Sequence, residues 1–249
     1  MILLTPASST AIGACPHQAT VCASCILDSS DYFATLSAAA KQALQAVLQR
    51  RVCERRTMLY QEGQLSEHLF ILLSGEVKIY KSLPSGRQQI HKLIAIPGDL
   101  IGCEDIYHAT YSSTAEAIGP VVVCHWRKSE LQTLAESQPE ITDTLMRSMA
   151  RNLNAYVQHI ANLGQKSALE RVASYLVFMV TTHAARNLCH QRLRESLTRS
   201  ELADLLGITQ RTLIRSLKSL EQAGLLSLTR DGFVIHDHDA LTALSSSRE

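Results

Sequence analysis

The sequence predicts an α+β protein with an N-terminal antiparallel β-roll, a long helix and a C-terminal winged helix-turn-helix. Short β-rich runs alternate with regularly spaced glycines, an apolar stripe at helical spacing follows them, and two short helical patterns precede a hairpin signal. These observations divide the 249 residues into four segments. They are a Cys-rich N-terminal segment, 1–30, a β-roll, 31–135, a long helix, 136–164, and the winged helix-turn-helix, 165–249.

Composition restricts the class of protein. The chain has 24 basic and 23 acidic side chains and a formal net charge of +1, so its overall charge indicates no particular partner. No apolar run approaches the roughly 18 to 20 residues that span a bilayer, and no basic segment precedes a hydrophobic stretch at the N-terminus. We therefore expect a cytoplasmic protein without a membrane partner. Its seven cysteines are then expected to be reduced thiols or metal ligands.

The N-terminal segment is rich in Ala, Ser, Thr and Cys and has no sustained helix or strand period. Such a segment is expected to be poorly ordered unless something ties it down. It contains Cys15, Cys22 and Cys25, with the spacing C-x6-C-x2-C.

The β-roll is predicted from turn signals at regular intervals. A short helix is expected over residues 37–52, and glycines then recur every 11 or 12 residues at Gly63, Gly75, Gly86 and Gly98. Regular turns between β-rich runs are typical of an antiparallel barrel or roll, which can hold a ligand or fill itself with side chains. The predicted strands are 57–60, 68–73, 76–81, 88–94 and 121–126.

The long helix begins near Pro139, where apolar residues return at helical spacing for about six turns. A helix of about 35 Å cannot bury such a stripe against a small roll. We therefore expect it to pair with its copy in a homodimer, with packing inside one chain as the alternative. A hinge is expected at Gly164-Gln165, before the helix at 169–180.

Residues 198–235 carry the signals of two helices, a tight turn and a hairpin. Thr198 can cap a first helix, Gly207 ends its periodicity, and Thr209 can cap a second helix that ends by Ala223, before Gly224. Asp231-Gly232 lies between two β-rich runs and predicts a hairpin. A helix-turn-helix followed by a wing predicts DNA binding, and an ordinary helical hairpin with a solvated outer face is the alternative.

The outer face of the second helix is basic. Leu213, Leu217 and Leu220 share its inner face, so the other side chains point outward. Between residues 186 and 218, seven Arg or Lys residues oppose three acidic residues, which indicates a small phosphate-facing surface. The predicted DNA-binding residues are Arg199, Thr209, Gln210, Arg211, Ile214, Arg215 and Lys218.

Four segments resemble the CRP/FNR family of dimeric transcription regulators. They are FILLSGEVKIY, IPGDLIG, SALERVASYL and LTRSELADLLGITQRTLIRSLKSLEQAGLL, and they occur in the order that the family has. The resemblance implies a cupin-like roll of the cyclic-nucleotide-binding-domain type and a homodimer that binds a palindromic site in double-stranded DNA, with RNA polymerase as a partner. No nucleophile, base and orienting residue occur at a recognisable spacing, so we predict that the chain is not an enzyme.

The resemblance also suggests roles on the second helix. Arg215 matches a family Arg that suits guanine, whereas Arg211 stands where the family has Glu, and it is expected to contact guanine or a phosphate. Ile214 can contact a thymine methyl group, and Thr209 and Arg199 are expected to hold phosphates. The half-site should therefore differ from the family's usual sequences.

Two kinds of sensor in the family can be compared with this chain. Members that bind cyclic nucleotides have a Glu after the G-D-x-I-G turn and an Arg-Ser pair farther on, whereas here Cys103 follows the turn and residues 108–114 contain no Arg. A cyclic phosphate without a cationic partner is unfavourable in a buried pocket, so cyclic AMP is not expected.

The iron-sulfur branch holds an oxygen-labile 4Fe-4S cluster with three N-terminal cysteines and one on the last strands of the roll. The resemblance implies that Cys15, Cys22, Cys25 and Cys124 ligate such a cluster in a sensor of oxygen or nitric oxide that serves anaerobic regulation. The branch spaces its N-terminal ligands C-x2-C-x5-C, so Cys15 has to supply its thiolate from upstream. The alternatives are a structural zinc, a thiol switch, another small ligand, or a haem held by a histidine such as His91, His108 or His125.

Overall fold

The structure is a computed structural model that describes residues 26–28, 30, 32–82, 88–185 and 192–246. These residues form two units. The first contains the described residues up to Lys78 together with Ile94–Leu153, and the second contains Ile79–Leu93 and the described residues from Asn154 onward. Within the described ranges, no helix is both long enough and apolar enough to cross a membrane.

The first half of the chain forms an antiparallel β-roll. Its strands are β1 Gln49–Cys53, β2 Met58–Tyr60, β3 His68–Ser74, β4 Val77–Ser82, β5 Gln88–Ile94, β6 Leu100–Ile101, β7 Thr114–Ala117 and β8 Val121–Arg127. One four-stranded sheet has the order β1-β8-β3-β6, and the other has the order β2-β7-β4-β5. The predicted roll is confirmed.

The helix predicted over residues 37–52 is wrong in its second half. Helix α1 spans Ala38–Ala46, and the Ser37 side chain caps it by accepting a hydrogen bond from the Ala40 backbone N–H. Strand β1 then pairs with β8, with Arg51 opposite Val123. The ladder of hydrogen bonds to β8 decides the conformation of this segment, because local helix propensity is weaker than such tertiary pairing.

The core of the first unit packs helices against the sheet that contains β8. The Trp126 side chain is buried, its ring centroid lies 5.9 Å from that of Phe33, and its indole N–H donates to the Leu44 carbonyl at 2.9 Å. A buried indole satisfied in this way fixes α1 on the sheet.

Two helices follow the roll. Helix α2, Lys128–Ser137, has no counterpart among the predicted elements, whereas α3, Pro139–Gln165, begins at the predicted proline. Proline suits the first turn of a helix because the N–H groups there have no partner inside the helix. Met146, Leu153, Val157 and Ile160 on α3 are between 52 and 67% exposed.

The second unit contains the predicted helix-turn-helix and hairpin. Its elements after α3 are α4 Ala168–Ala185, β9 Arg192–Arg194, α5 Arg199–Leu206, α6 Gln210–Gln222, β10 Leu226–Thr229, β11 Gly232–Ile235 and α7 His238–Ser246. The strands form one sheet of order β10-β11-β9, and α4 packs against α6 and α7. The sequence signals predict neither β9 nor α7.

A buried ion pair links β4 to β7. Lys78 Nζ lies 3.2 Å from Glu116 Oε1, and the two side chains are only 5% and 11% exposed. The attraction between the two charges offsets much of the cost of removing each from water, so that each charge depends on the other.

Replacing Lys78 with Met should lower the free energy of unfolding by about 3 to 5 kcal/mol, because Glu116 keeps a buried charge without its ammonium partner. The double variant Lys78→Met/Glu116→Leu should recover most of that loss. Arg147→Ala is the control, since it breaks an exposed 2.8 Å pair with Asp143 and should cost less than about 1 kcal/mol. Urea unfolding measures all three variants, and equal losses for Lys78→Met and Arg147→Ala would contradict the interpretation.

Candidate functional site

The first helix of the helix-turn-helix, α5, is held at its start by a capping box. The Thr198 hydroxyl accepts the Glu201 backbone N–H at 3.2 Å, and the Glu201 carboxylate accepts the Thr198 backbone N–H at 2.8 Å. Two backbone donors that the helix leaves unpaired are thereby satisfied. The predicted cap at Thr198 is confirmed.

The turn between α5 and α6 depends on Gly207. Its φ is 63°, and a Cβ atom there would lie 2.8 Å from the Cδ2 atom of Leu163. Arg171, on α4, donates from Nη1 to the carbonyls of Leu206 at 2.9 Å and Gly207 at 3.3 Å. The left-handed conformation and the close packing both require glycine, and the arginine satisfies carbonyls at the end of α5.

The second helix, α6, presents one buried face and one exposed face. Thr209 caps it by accepting the Thr212 backbone N–H at 3.1 Å. Leu213, Leu217 and Leu220 are buried, as predicted. The exposed side chains of the opposite face are those of Gln210, Arg211, Ile214, Arg215 and Lys218. The surface has the shape and charge that suit the major groove of DNA, since a helix with outward Arg and Gln side chains can reach base edges there.

The other two predicted DNA-binding residues lie at the margins of this face. Thr209 is exposed at the start of α6, where the first backbone N–H groups of a helix favour a phosphate. Arg199 is partly buried, with its guanidinium carbon 5.1 Å from the centroid of the Phe233 ring in β11. Its Nη1 is buried and has no hydrogen-bond partner within the described residues. A phosphate contact by either residue stays a prediction.

The wing is attached to α6 by a hydrogen bond that the sequence signals do not predict. The Glu221 carboxylate accepts the Leu228 backbone N–H at 2.9 Å. Neither this contact nor the one made by Arg171 has a local sequence signal, because each joins elements that only the fold brings together.

The predicted metal ligands fall into two groups. Cys15, Cys22 and Cys25 lie outside the described residues, so the four-thiolate set stays a prediction. Cys124 lies on β8, is fully buried and belongs to the same apolar cluster as Ile26. Within the part of the chain that the structure describes, no three His, Cys, Asp or Glu side chains are grouped as a metal site.

The place of a cyclic nucleotide in the roll is occupied by other chemistry. Cys103 is fully buried, and its Sγ accepts a hydrogen bond from Asn152 Nδ2 at 2.8 Å. From Cys103 to Ala117 the sequence has no Arg or Lys. A cyclic phosphate would therefore lack the cationic partner that this stretch supplies in nucleotide-binding relatives.

Two family models match the chain. Residues 50–138 match the cyclic nucleotide-binding domain, and residues 170–244 match the Crp-like helix-turn-helix domain. The first match covers most of the roll, and the second covers α5, α6 and the wing.

Individual relatives match most of the chain. It is 31% identical over 212 residues to the nitrogen fixation regulation protein FixK of Azorhizobium caulinodans, which is 84% of each chain. It is 27% identical over 198 residues to an anaerobic regulatory protein of Pasteurella multocida, which is 80% of this chain and 72% of the relative. The solved structure of FixK2 from Bradyrhizobium japonicum superposes with a TM-score of 0.72 at 27% identity, and the match covers 82% of this chain and 100% of that one.

The roll, the exposed face of α6 and the identity with FixK over most of both chains lead to one assignment. This chain belongs to the CRP/FNR family of DNA-binding transcription regulators, which is not a family of enzymes.

Proposed function

We propose that this regulator acts as a homodimer on a palindromic DNA site and responds to oxygen or nitric oxide through a 4Fe-4S cluster held by Cys15, Cys22, Cys25 and Cys124. The observation that carries the DNA-binding part is the exposed basic face of α6 above a fully buried leucine face. The cluster rests on the placement of Cys124.

The dimer is supported by the exposed apolar residues of α3. Met146, Leu153, Val157 and Ile160 recur at intervals of seven, four and three residues, which places them on one side of the helix. Each is more than half exposed. A second copy of α3 is the partner that such a seam fits, and two copies of α6 then contact two half-sites related by a two-fold axis. The site is therefore expected to be palindromic, and RNA polymerase is the expected protein partner at the promoter.

The cluster is supported by the surroundings of Cys124. Its thiol lies on the face of β8 that packs against the segment beginning at Ile26, and Ile26 directly follows Cys25 in the sequence. One ligand on a rigid strand and three on the segment that leads to it can supply the four thiolates that such a cluster needs. When bound, the cluster would supply the oxygen-labile redox chemistry. The names of the P. multocida and A. caulinodans relatives concern anaerobic regulation and nitrogen fixation, which favours oxygen as the signal.

Replacing Cys124 with Ser should abolish the cluster, because a hydroxyl is a poor substitute for the thiolate ligand. The wild-type protein, purified without air, should contain about four irons and four sulfides per chain and a broad visible absorption that bleaches in air. Cys53→Ser is the matched control, since Cys53 is also a buried thiol, on the adjacent strand β1. It should keep the iron, whereas Cys15→Ser should lose it.

Three results would overturn the cluster. They are an iron-free, colourless protein after anaerobic reconstitution, equal iron in the Cys124→Ser and wild-type proteins, and a sharp Soret band, which would indicate haem. DNA binding by the same preparations shows independently whether the helix-turn-helix is intact.

Replacing Arg215 with Ala should weaken binding to the selected DNA site by about 1 to 3 kcal/mol per lost bidentate contact, and it should reduce discrimination between bases at one position. Lys218→Ala, on the same exposed face, should weaken specific and non-specific binding alike and lower the salt dependence by about one unit of slope. Selection from random DNA followed by titration at several salt concentrations measures both effects. An unaltered family half-site, or identical behaviour of the two variants, would contradict the proposed contacts.

Replacing Leu153 with Glu should convert the dimer to a monomer, because a carboxylate cannot be buried in an apolar seam without a partner. Ala155→Glu is the matched control, since it adds the same charge to an exposed position on the opposite side of α3. Light scattering coupled to size-exclusion chromatography measures the mass. A monomeric wild-type protein, or equal effects of the two changes, would argue against α3 as the dimer seam.

A further inference from the structure

The first unit contains a cavity of about 170 Å³ that the proposed function does not use. Side chains from β1, β2, β3 and β8 and from the loop before β7 line it. Engineered cavities of about 150 Å³ bind benzene, so the volume suits one aromatic ring with a small substituent.

Aromatic side chains form much of the wall. The rings of Tyr60 and Tyr111 stack with centroids 3.8 Å apart, and the Phe70 and His125 rings lie 5.5 Å apart. The His68 ring meets the His125 ring edge to face at 4.9 Å. Flat side chains in this arrangement offer both faces and edges to a planar ligand.

The wall is fixed before any ligand binds. The Tyr111 hydroxyl donates to the His68 carbonyl at 2.7 Å and accepts the His68 backbone N–H at 3.1 Å. Phe70 and His125 are directly opposite each other in the β3–β8 ladder. A preformed cavity binds a ligand more tightly because fewer side chains lose freedom on binding.

The charge that lines the cavity favours an anion. Arg51 is partly buried, and within the described residues its hydrogen bond is a long 3.5 Å contact from Nη2 to the Met58 carbonyl. Glu67 also lines the cavity but is exposed, so water screens its charge. The guanidinium fork therefore has donors available for a carboxylate.

The imidazoles add polar groups without adding charge. Burial lowers the pKa of both His68 and His125, and the positive charges of Arg51 and Arg127 lower them further, whereas Glu67 opposes the shift at His68. The Nδ1 atom of His125 is buried and has no hydrogen-bond partner among the described residues. Such an unpaired nitrogen is unusual in a protein interior and is consistent with a site that lacks its ligand.

We propose that this cavity binds a small aromatic monocarboxylate of about ten non-hydrogen atoms, with its ring against Phe70, Tyr60 and the histidines and its carboxylate on Arg51. The ligand would contact β8 through His125, the residue that follows Cys124. A second, organic signal could thus act on the strand that carries the proposed cluster ligand, although binding itself does not require the cluster.

Benzoate is the probe, and calorimetric titration of the full-length protein measures its binding. We expect one benzoate per chain. Arg51→Gln should weaken binding at least about ten-fold, because it removes a charged partner of the carboxylate. Arg55→Gln, an exposed arginine of the same region that does not line the cavity, is the control and should leave binding unchanged.

Two further ligands separate the parts of the proposal. Benzamide keeps the ring without the charge, acetate keeps the charge without the ring, and each should bind at least about ten-fold more weakly than benzoate. Perturbation of the His68 and His125 ring signals in NMR spectra by benzoate locates the site without a variant. The absence of benzoate binding at millimolar concentration, binding unaffected by Arg51→Gln, or equal affinity for acetate would overturn the proposal.

Discussion

The pairing of β8 with its two neighbours is the constraint on which the first unit depends. β8 lies between β1 and β3, and successive side chains along it point to opposite faces of the sheet. Cys124 and Trp126 therefore enter the apolar cluster beneath the helices, while His125 lines the cavity. A shift of one residue in this register would exchange the two environments, so that the core and both proposed sensing sites depend on the same ladder of hydrogen bonds.

Most of the fold follows from local patterns. The glycine spacing indicated the roll, and Pro139 and the two threonine caps fixed the starts of three helices, because turns and caps are determined by a few neighbouring residues. The segment after Ala46 misled the prediction, since its strand exists only through β8. Strand β9 and helices α2 and α7 carry weak local signals and are stabilised by the elements that they pack against.

The DNA-binding surface could be predicted more completely than the rest of the site. Its inner and outer faces follow from helical periodicity alone, as Leu213 and Arg215 illustrate. Arg171 could not be identified in this way, because its carbonyl acceptors lie 35 and 36 residues farther along the chain. The cavity escaped prediction for the same reason: Arg51, Phe70 and His125 meet only after three strands have paired.

The separation of packing from contact on α6 has a consequence for the divergence of regulators with this architecture. The leucines, Gly207 and the arginine that holds the turn keep the helix in place, whereas the outward residues contribute little to its packing. Substitutions at Arg211 or Ile214 can therefore change which promoters are recognised at little cost in stability. A duplicated gene could acquire a new set of target genes through two or three such changes while the protein continued to fold and to sense its signals.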